Sequence, residues 1–221
     1  MSADKLEIPV ELLELLEQEK VREFNAARSM SGRIDLFAAD LADKNLAGAN
    51  LTGVNLQKAD LSGCNLTDAE LTQTDLSGAD LTGAILKNVS AMRSRWRDAY
   101  LGEADLSDAD LAGADLTDAD VSDGTMARAM LSGARLKRAI LVKTDLSAAD
   151  LAEAYIAEAD LTSANLTGAQ MREANLSRAD LSKTQLSASD LTRAKLQGAA
   201  LAGTDLTGAC LNSADLTEAQ L

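Results

Sequence analysis

The chain has 221 residues, with 35 Asp and Glu against 21 Lys and Arg, no histidine, and a formal net charge of −14. The commonest general base and metal ligand is therefore missing, and two cysteines do not make a zinc site. Aromatic residues are 2% of the chain, fewer than an ordinary core of this length uses, so the interior must be aliphatic.

Residues 1–33 stand apart from the rest, with LEIPVELLELLEQEKVREFNAAR as their core. Pro9 suits the first turn of a helix. Leu13, Leu16, Lys20 and Phe24 come after it at helical spacing, with glutamates between them. One or two short helices are expected here, their apolar face covering the first part of the chain beyond residue 33. A free amphipathic helix that binds a partner is the other reading. The apolar run from Val10 to Leu16 is broken by Glu11 and Glu14, and no basic region precedes it, which is unlike a secretory leader. No apolar segment is long enough to cross a membrane.

From Leu36 a beat of five begins. Every fifth residue to Leu221 gives 38 positions, of which 32 are Leu; the exceptions are Ala91, Trp96, Val121, Met126, Ile156 and Met171. Two residues before each stands a second regular position, Ala in 26 of 38 cases and mostly Ser, Thr, Cys, Val or Gly in the rest, and the residue between is usually Asp or Asn. A period this long outranks local propensity. In an α-helix, leucines five apart would spiral around the whole surface. In a flat strand they would alternate between faces. Leu and Ala can both point inward only if the chain turns a corner about every five residues. The result is a coil, and stacked coils make a solenoid.

These tandem A(D/N)LXX units, as in ADLSGADLTG, resemble the pentapeptide-repeat family over residues 34–221. The resemblance implies an all-β solenoid, a right-handed quadrilateral β-helix with four repeats per coil. Leu and Ala would face the lumen and the other three positions would face solvent. On that pattern the chain divides into an N-terminal helical cap, 1–33, and a β-helix, 34–221, of about nine coils, a rod ~45 Å long.

The stretch VSAMRSRWRDAYLGEADL, residues 89–106, interrupts the consensus. The phase survives it, because Leu86, Ala91, Trp96 and Leu101 stay on the count of five. A coil with unusual lumen residues is the expectation. A small Ala91 beside a large Trp96 then roughly conserves volume. The alternative is a loop over 87–98 that exposes Arg93, Arg95 and Arg97; some family members carry such loops for partner binding.

With 20 residues per coil, residues 20 apart stack on one side. Formal charge at the outward positions sums to −7 on the side of Leu41, −3 on each of the sides of Leu46 and Leu51, and zero on the side of Leu36. The acidic side carries Asp40, Asp60, Asp80, Asp120, Asp160 and Asp180, supplemented by Asp43, Glu103 and Asp123. Tyr100 and Ile140 replace two rungs, and Val142 stands beside them. Arg135, Lys137 and Arg138 cluster on the neutral side. Stacked like charges about 5 Å apart repel, which suggests charge chosen for a partner. The plainer reading is that Asp fits the repeat and aids solubility. Exposed apolar residues in a polar surface are candidate hot spots, although single ones need no explanation.

No catalytic constellation, phosphate loop or cofactor site appears. DADVSDG, from Asp118 to Gly124, lacks the aspartate spacing and closing Glu of a calcium loop. The sequence points to a non-enzymatic interaction scaffold that binds a protein partner, with no direct nucleic-acid or membrane binding. The resemblance implies an alternative, since some family members mimic DNA and occupy type II topoisomerase. The partner would then be DNA gyrase or topoisomerase IV, inhibited or protected from poisons. The sequence stops on a repeat, which predicts either a truncated chain or a homodimer through the C-terminal coil, ~90 Å long. Cys64 and Cys210 lie about seven coils, ~35 Å, apart and cannot pair within one chain, which suits the cytoplasm.

Overall fold

The computed structural model describes residues 10–28 and 34–221. Pro9 lies outside the described residues. Helix α1 spans Val10–Glu17 and helix α2 spans Val21–Arg28. Leu12 and Leu16 of α1 and Phe24 of α2 are buried, and all three join the core cluster that continues through Ile34 and Leu36. Leu16 and Phe24 face inward as the sequence spacing predicts, whereas Leu13 is only partly buried and Lys20 is exposed.

Residues 34–221 wind as a coil whose parallel bridges all join residues 20 apart, from Asp35↔Asn55 to Ala200↔Gln220. Each five-residue side has the same backbone accounting. The central Leu41 N–H donates to Asp60 O of the next coil at 2.8 Å, and Asp60 N–H donates back to Ala39 O at 2.9 Å. The N–H of Asp43, two after the central residue, donates to Ser62 O at 2.8 Å. The corner is a turn closed from Lys44 N–H to Leu41 O at 3.3 Å. Its third residue has positive φ, between 54° and 72° from Ala38 to Glu218, the mark of a type II turn.

Away from the first and last coils, one N–H per side has no backbone partner, that of the residue after the central one. The Asp or Asn before the central residue supplies an acceptor. Asp60 Oδ1 accepts from Ser62 N–H at 3.0 Å and Asp160 Oδ1 from Thr162 N–H at 2.9 Å. An Asx side chain that caps the backbone two residues on is what these residues do well, and this is the physical reason for the A(D/N)L signature.

The lumen is aliphatic. Leucines from Leu36 to Leu201 are buried, each contributing about 1.5–3 kcal/mol by leaving water. Polar residues at inward positions find carbonyls: Thr74, Thr144 and Thr184 donate to Leu51 O, Val121 O and Leu161 O at 2.6, 2.9 and 2.8 Å. Cys64 donates to Leu41 O, and burial pushes its thiol up to about 11. Among the described residues no buried side-chain polar atom lacks a partner.

Residues 87–98 form no loop. The bridges Glu70↔Ser90, Asp75↔Arg95 and Ser90↔Asp110 run through them, and Ala91 and Trp96 are fully buried in the lumen. The indole fits because its neighbour on the preceding side is Ala91 and because Ser94 takes its N–H.

Candidate functional site

The bridge pattern stacks the acidic side in register. Asp40, Asp60, Asp80, Tyr100, Asp120, Ile140, Asp160 and Asp180 form one unbroken column of successive bridges. Tyr100 is 58% exposed and Ile140 42% exposed, with Asp120 between them, so the two apolar groups sit roughly 10 Å apart. Val142 is half-buried beside Ile140. Asp43, Glu103 and Asp123 stand at the positive-φ corner of the same side. Lys143 meets Asp123 at 3.4 Å, so the column is not purely acidic.

Each aspartate of this column uses one oxygen on its own backbone, as at Asp80 and Thr82, 2.9 Å, or Asp120 and Ser122, 2.9 Å. Its second oxygen has no hydrogen-bond partner among the described residues. Charge and structural role therefore coexist in the same side chain. Where Tyr100 and Ile140 replace Asp, that backbone cap is absent. These two positions give up a structural hydrogen bond for an exposed apolar group.

Arg93, Arg95 and Arg97 are exposed on two sides of a regular coil. Arg95 reaches Asp75 at 3.4 Å and Arg97 reaches Asp115 at 3.2 Å. They belong to a set of ion pairs between adjacent coils, including Arg128–Asp108, 2.6 Å, and Arg138–Asp118, 2.6 Å. Those arginines hold the Asp108 and Asp118 carboxyls below the usual range. Exposed pairs of this kind add little stability each, typically under about 1 kcal/mol.

Exposed apolar groups are not confined to one side. Ile85, Met92, Met130, Phe37 and Tyr155 occupy the other three. No group of His, Cys, Asp and Glu able to hold a metal occurs among the described residues. No helix among them is long and apolar enough to cross a membrane.

The pentapeptide-repeat profile matches in eight copies over residues 33–68, 49–88, 97–131, 129–168, 155–193 and 184–221. The chain belongs to the pentapeptide-repeat family. Among solved structures it is similar to HetL, a pentapeptide-repeat protein involved in heterocyst differentiation regulation from the cyanobacterium Nostoc, at 32% identity. That match covers 88% of this chain and 94% of HetL with a TM-score of 0.59. QnrB1, a plasmid-mediated fluoroquinolone resistance protein, is 20% identical over 86% of this chain and 90% of its own, with a TM-score of 0.58, a likeness of fold. No curated protein sequence matches the chain.

Proposed function

We propose that this pentapeptide-repeat protein is a non-enzymatic interaction scaffold, a right-handed rod of about nine coils over 34–221 with the helices of 1–33 as its cap. It presents the Leu41 side to a basic protein partner in the cytoplasm. The observation that carries the reading is the in-register column in which Tyr100 and Ile140 interrupt aspartates. Apolar anchors surrounded by charge are what hot spots look like, and a column of like charge steers a basic partner on approach. The test is capture from lysate with the purified rod, washed across a salt gradient. A partner lost by Tyr100→Ala with Ile140→Ala supports the reading. One captured equally by that variant removes the assigned surface.

The acidic column also favours a second reading, mimicry of DNA at the saddle of a type II topoisomerase such as DNA gyrase. The neutral side with Arg135, Lys137 and Arg138 is unlike DNA and weighs against it. Supercoiling by purified gyrase, titrated with the rod at two salt concentrations, separates the readings; no effect at micromolar protein eliminates mimicry and leaves the scaffold.

A homodimer through the last coil is part of this proposal. Leu206, Leu211 and Leu216 are only partly buried, and Leu221 is 90% exposed. Two copies meeting there would cover these leucines and pair the open strand edge. A sedimentation mass of one chain at micromolar concentration rejects this pairing.

A further inference from the structure

The side of Leu36 has zero formal charge as a whole, but the charge is not evenly spread. Within 135–198 this side carries Arg135, Lys137, Arg138, Arg178 and Lys195 against Glu158 alone, a net of +4 in a chain of −14. Lys137 is paired with Glu158 at 3.3 Å and Arg138 with Asp118 at 2.6 Å. Arg135, Arg178 and Lys195 are exposed and have no ion-pair partner among the described residues. In a chain with so many surplus carboxylates, uncompensated cations on one side need a reason.

A groove opens beside Arg178, with Arg135 and Lys195 on the same side of the rod but outside its lining. It measures about 340 Å³ and is lined by Tyr155, Arg178, the small residues Ala157, Ser177 and Gly198, and the carboxylate of Glu158. Gly198 leaves space that Arg178 overlies, since a Cβ there would stand 3.6 Å from Arg178 Cγ. Tyr155, 37% exposed, stacks between Arg135 and Asn175, and Asn175 bridges on to Lys195. An aromatic ring thus sits in a column between two cations, beyond which the column continues to Asp115 and Asp215. Glu218 closes the groove at its C-terminal end.

We propose that this strip binds an extended acidic polypeptide segment, whose carboxylates meet Arg135, Arg178 and Lys195 while an apolar side chain packs on Tyr155. Width decides against nucleic acid. The strip is one five-residue side across, and along its length Asp160 and Asp180 stand on one flank, with Lys143 and Lys183, and Asp150, Glu153, Glu173 and Asp190 on the other, with Arg172 and Arg193. A broad polyanion would overlap those carboxylates within one Debye length, about 8–10 Å, whereas a single extended chain lies between them. The proposal is independent of the acidic column, which is a different side of the rod.

The test is fluorescence anisotropy of a labelled octaglutamate peptide with one central leucine, titrated with the full chain. Binding should weaken with salt, and Arg135→Ser with Arg178→Ser and Lys195→Ser should weaken it at least about tenfold. Arg93→Ser with Lys183→Ser, cations of other sides, should change it less than about twofold. Melting reports whether the triple variant folds; if it does not, Lys195→Ser alone is used, with a loss of about threefold expected. Any of four results overturns the proposal: no peptide binding at about 1 mM; equal binding by the variants; tighter binding of a single-stranded oligonucleotide of the same length; or self-association that the variants abolish, which would assign the strip to a second copy.

Discussion

The indole N–H of Trp96 donates to the Ser94 hydroxyl at 2.5 Å, and that hydroxyl donates in turn to the carbonyl of Ala91. Three residues of one coil thus solve the problem of a large aromatic in an aliphatic lumen. Ala91 gives it volume, and Ser94 gives its one polar atom a partner. Ser94→Ala should cost about 1–3 kcal/mol, the penalty of a buried unpaired donor, measured as a shift of the urea midpoint. Trp96→Leu should cost about 3 kcal/mol or more through the cavity it leaves. Adding Ala91→Leu should recover part of that loss, and strict additivity of the two changes would show that they do not share the space.

Sequence alone is sufficient for the solenoid because a period of five has no home in a helix or a flat strand. The lumen positions come from the same count, whereas the stacking of Asp40 on Asp60 and Asp80 needs four repeats per coil, which only the family resemblance implies. The role of those aspartates does not. The orphan N–H at Ser62 or Thr162 exists only because the other four N–H groups of each side are already paired, and that ladder is a property of stacked coils. Ser94 is hidden for a similar reason: it occupies an ordinary small-residue position and matters only because of what lies beside it. Arg135 and Lys137 are visible in the sequence as a cluster. The link of Arg135 to Tyr155 and Lys195 needs the column of bridges between coils, which sets the three in line.

The double role of the column aspartates separates by substitution. Asp160→Asn keeps an oxygen for Thr162 N–H, so stability should stay within about 0.5 kcal/mol. Asp160→Ala removes the acceptor and should cost about 0.5–1.5 kcal/mol. Both remove the charge, so partner binding should respond to the two alike. Equal melting temperatures for the Asn and Ala variants would show that the cap contributes nothing. Tyr100→Ala with Ile140→Ala should leave melting unchanged, because both side chains are exposed; a large fall would make them part of the core.

A charge in the lumen tests the interior. Leu131 is fully buried near the middle of the rod. Leu131→Asp would place a carboxylate there with no cation to meet it, a cost beyond about 4 kcal/mol. Circular dichroism should show loss of structure, and an unchanged spectrum with unchanged melting would contradict the inward placement of the leucines.

Acid stability depends on the carboxylates that are hydrogen-bonded in the folded coil. Asp190 is held down to about 2 by the Thr192 hydroxyl and N–H, with Arg172 adding to them. Burial pushes Asp75, Asp105 and Asp115 up, but hydrogen bonds from Ser77, Ser107 and Thr117 outweigh it and leave them below the usual range. A group depressed in the folded state takes up its proton first in the unfolded chain, so acid favours unfolding. The stabilisation is complete above the unfolded Asp value of about 3.9 and is lost as pH falls toward about 2. Urea midpoints should therefore be flat from about pH 6 to 5 in these groups and fall steeply between about pH 4 and 2. Asp190→Asn should flatten part of that fall, and an identical acid profile would remove Asp190 from the account.

The first coil is finished by side chains that act as a missing layer of backbone. Elsewhere Asp60 O and Ser62 O accept N–H groups from the preceding coil. At the corresponding Asn50 O and Thr52 O, the acceptors meet the Arg28 guanidinium at 2.8 and 2.7 Å. The N–H groups of Asn45 and Asn50, which would otherwise donate to a preceding coil, donate to Glu19 Oε1 at 3.0 Å and Asn25 Oδ1 at 2.8 Å. Partial burial lowers Arg28 from its ordinary value, yet a guanidinium stays charged. Arg28→Ala should cost about 1.5–3 kcal/mol, the range for hydrogen bonds to a charged group. Arg28→Lys should recover only part of it, because one ammonium cannot span two carbonyls as the planar fork does. Amide exchange should report the loss first at Leu51 and Gly53, on the side that Arg28 closes. Uniform exchange changes along the whole rod would instead mean that the helices stabilise the coil through their apolar face alone.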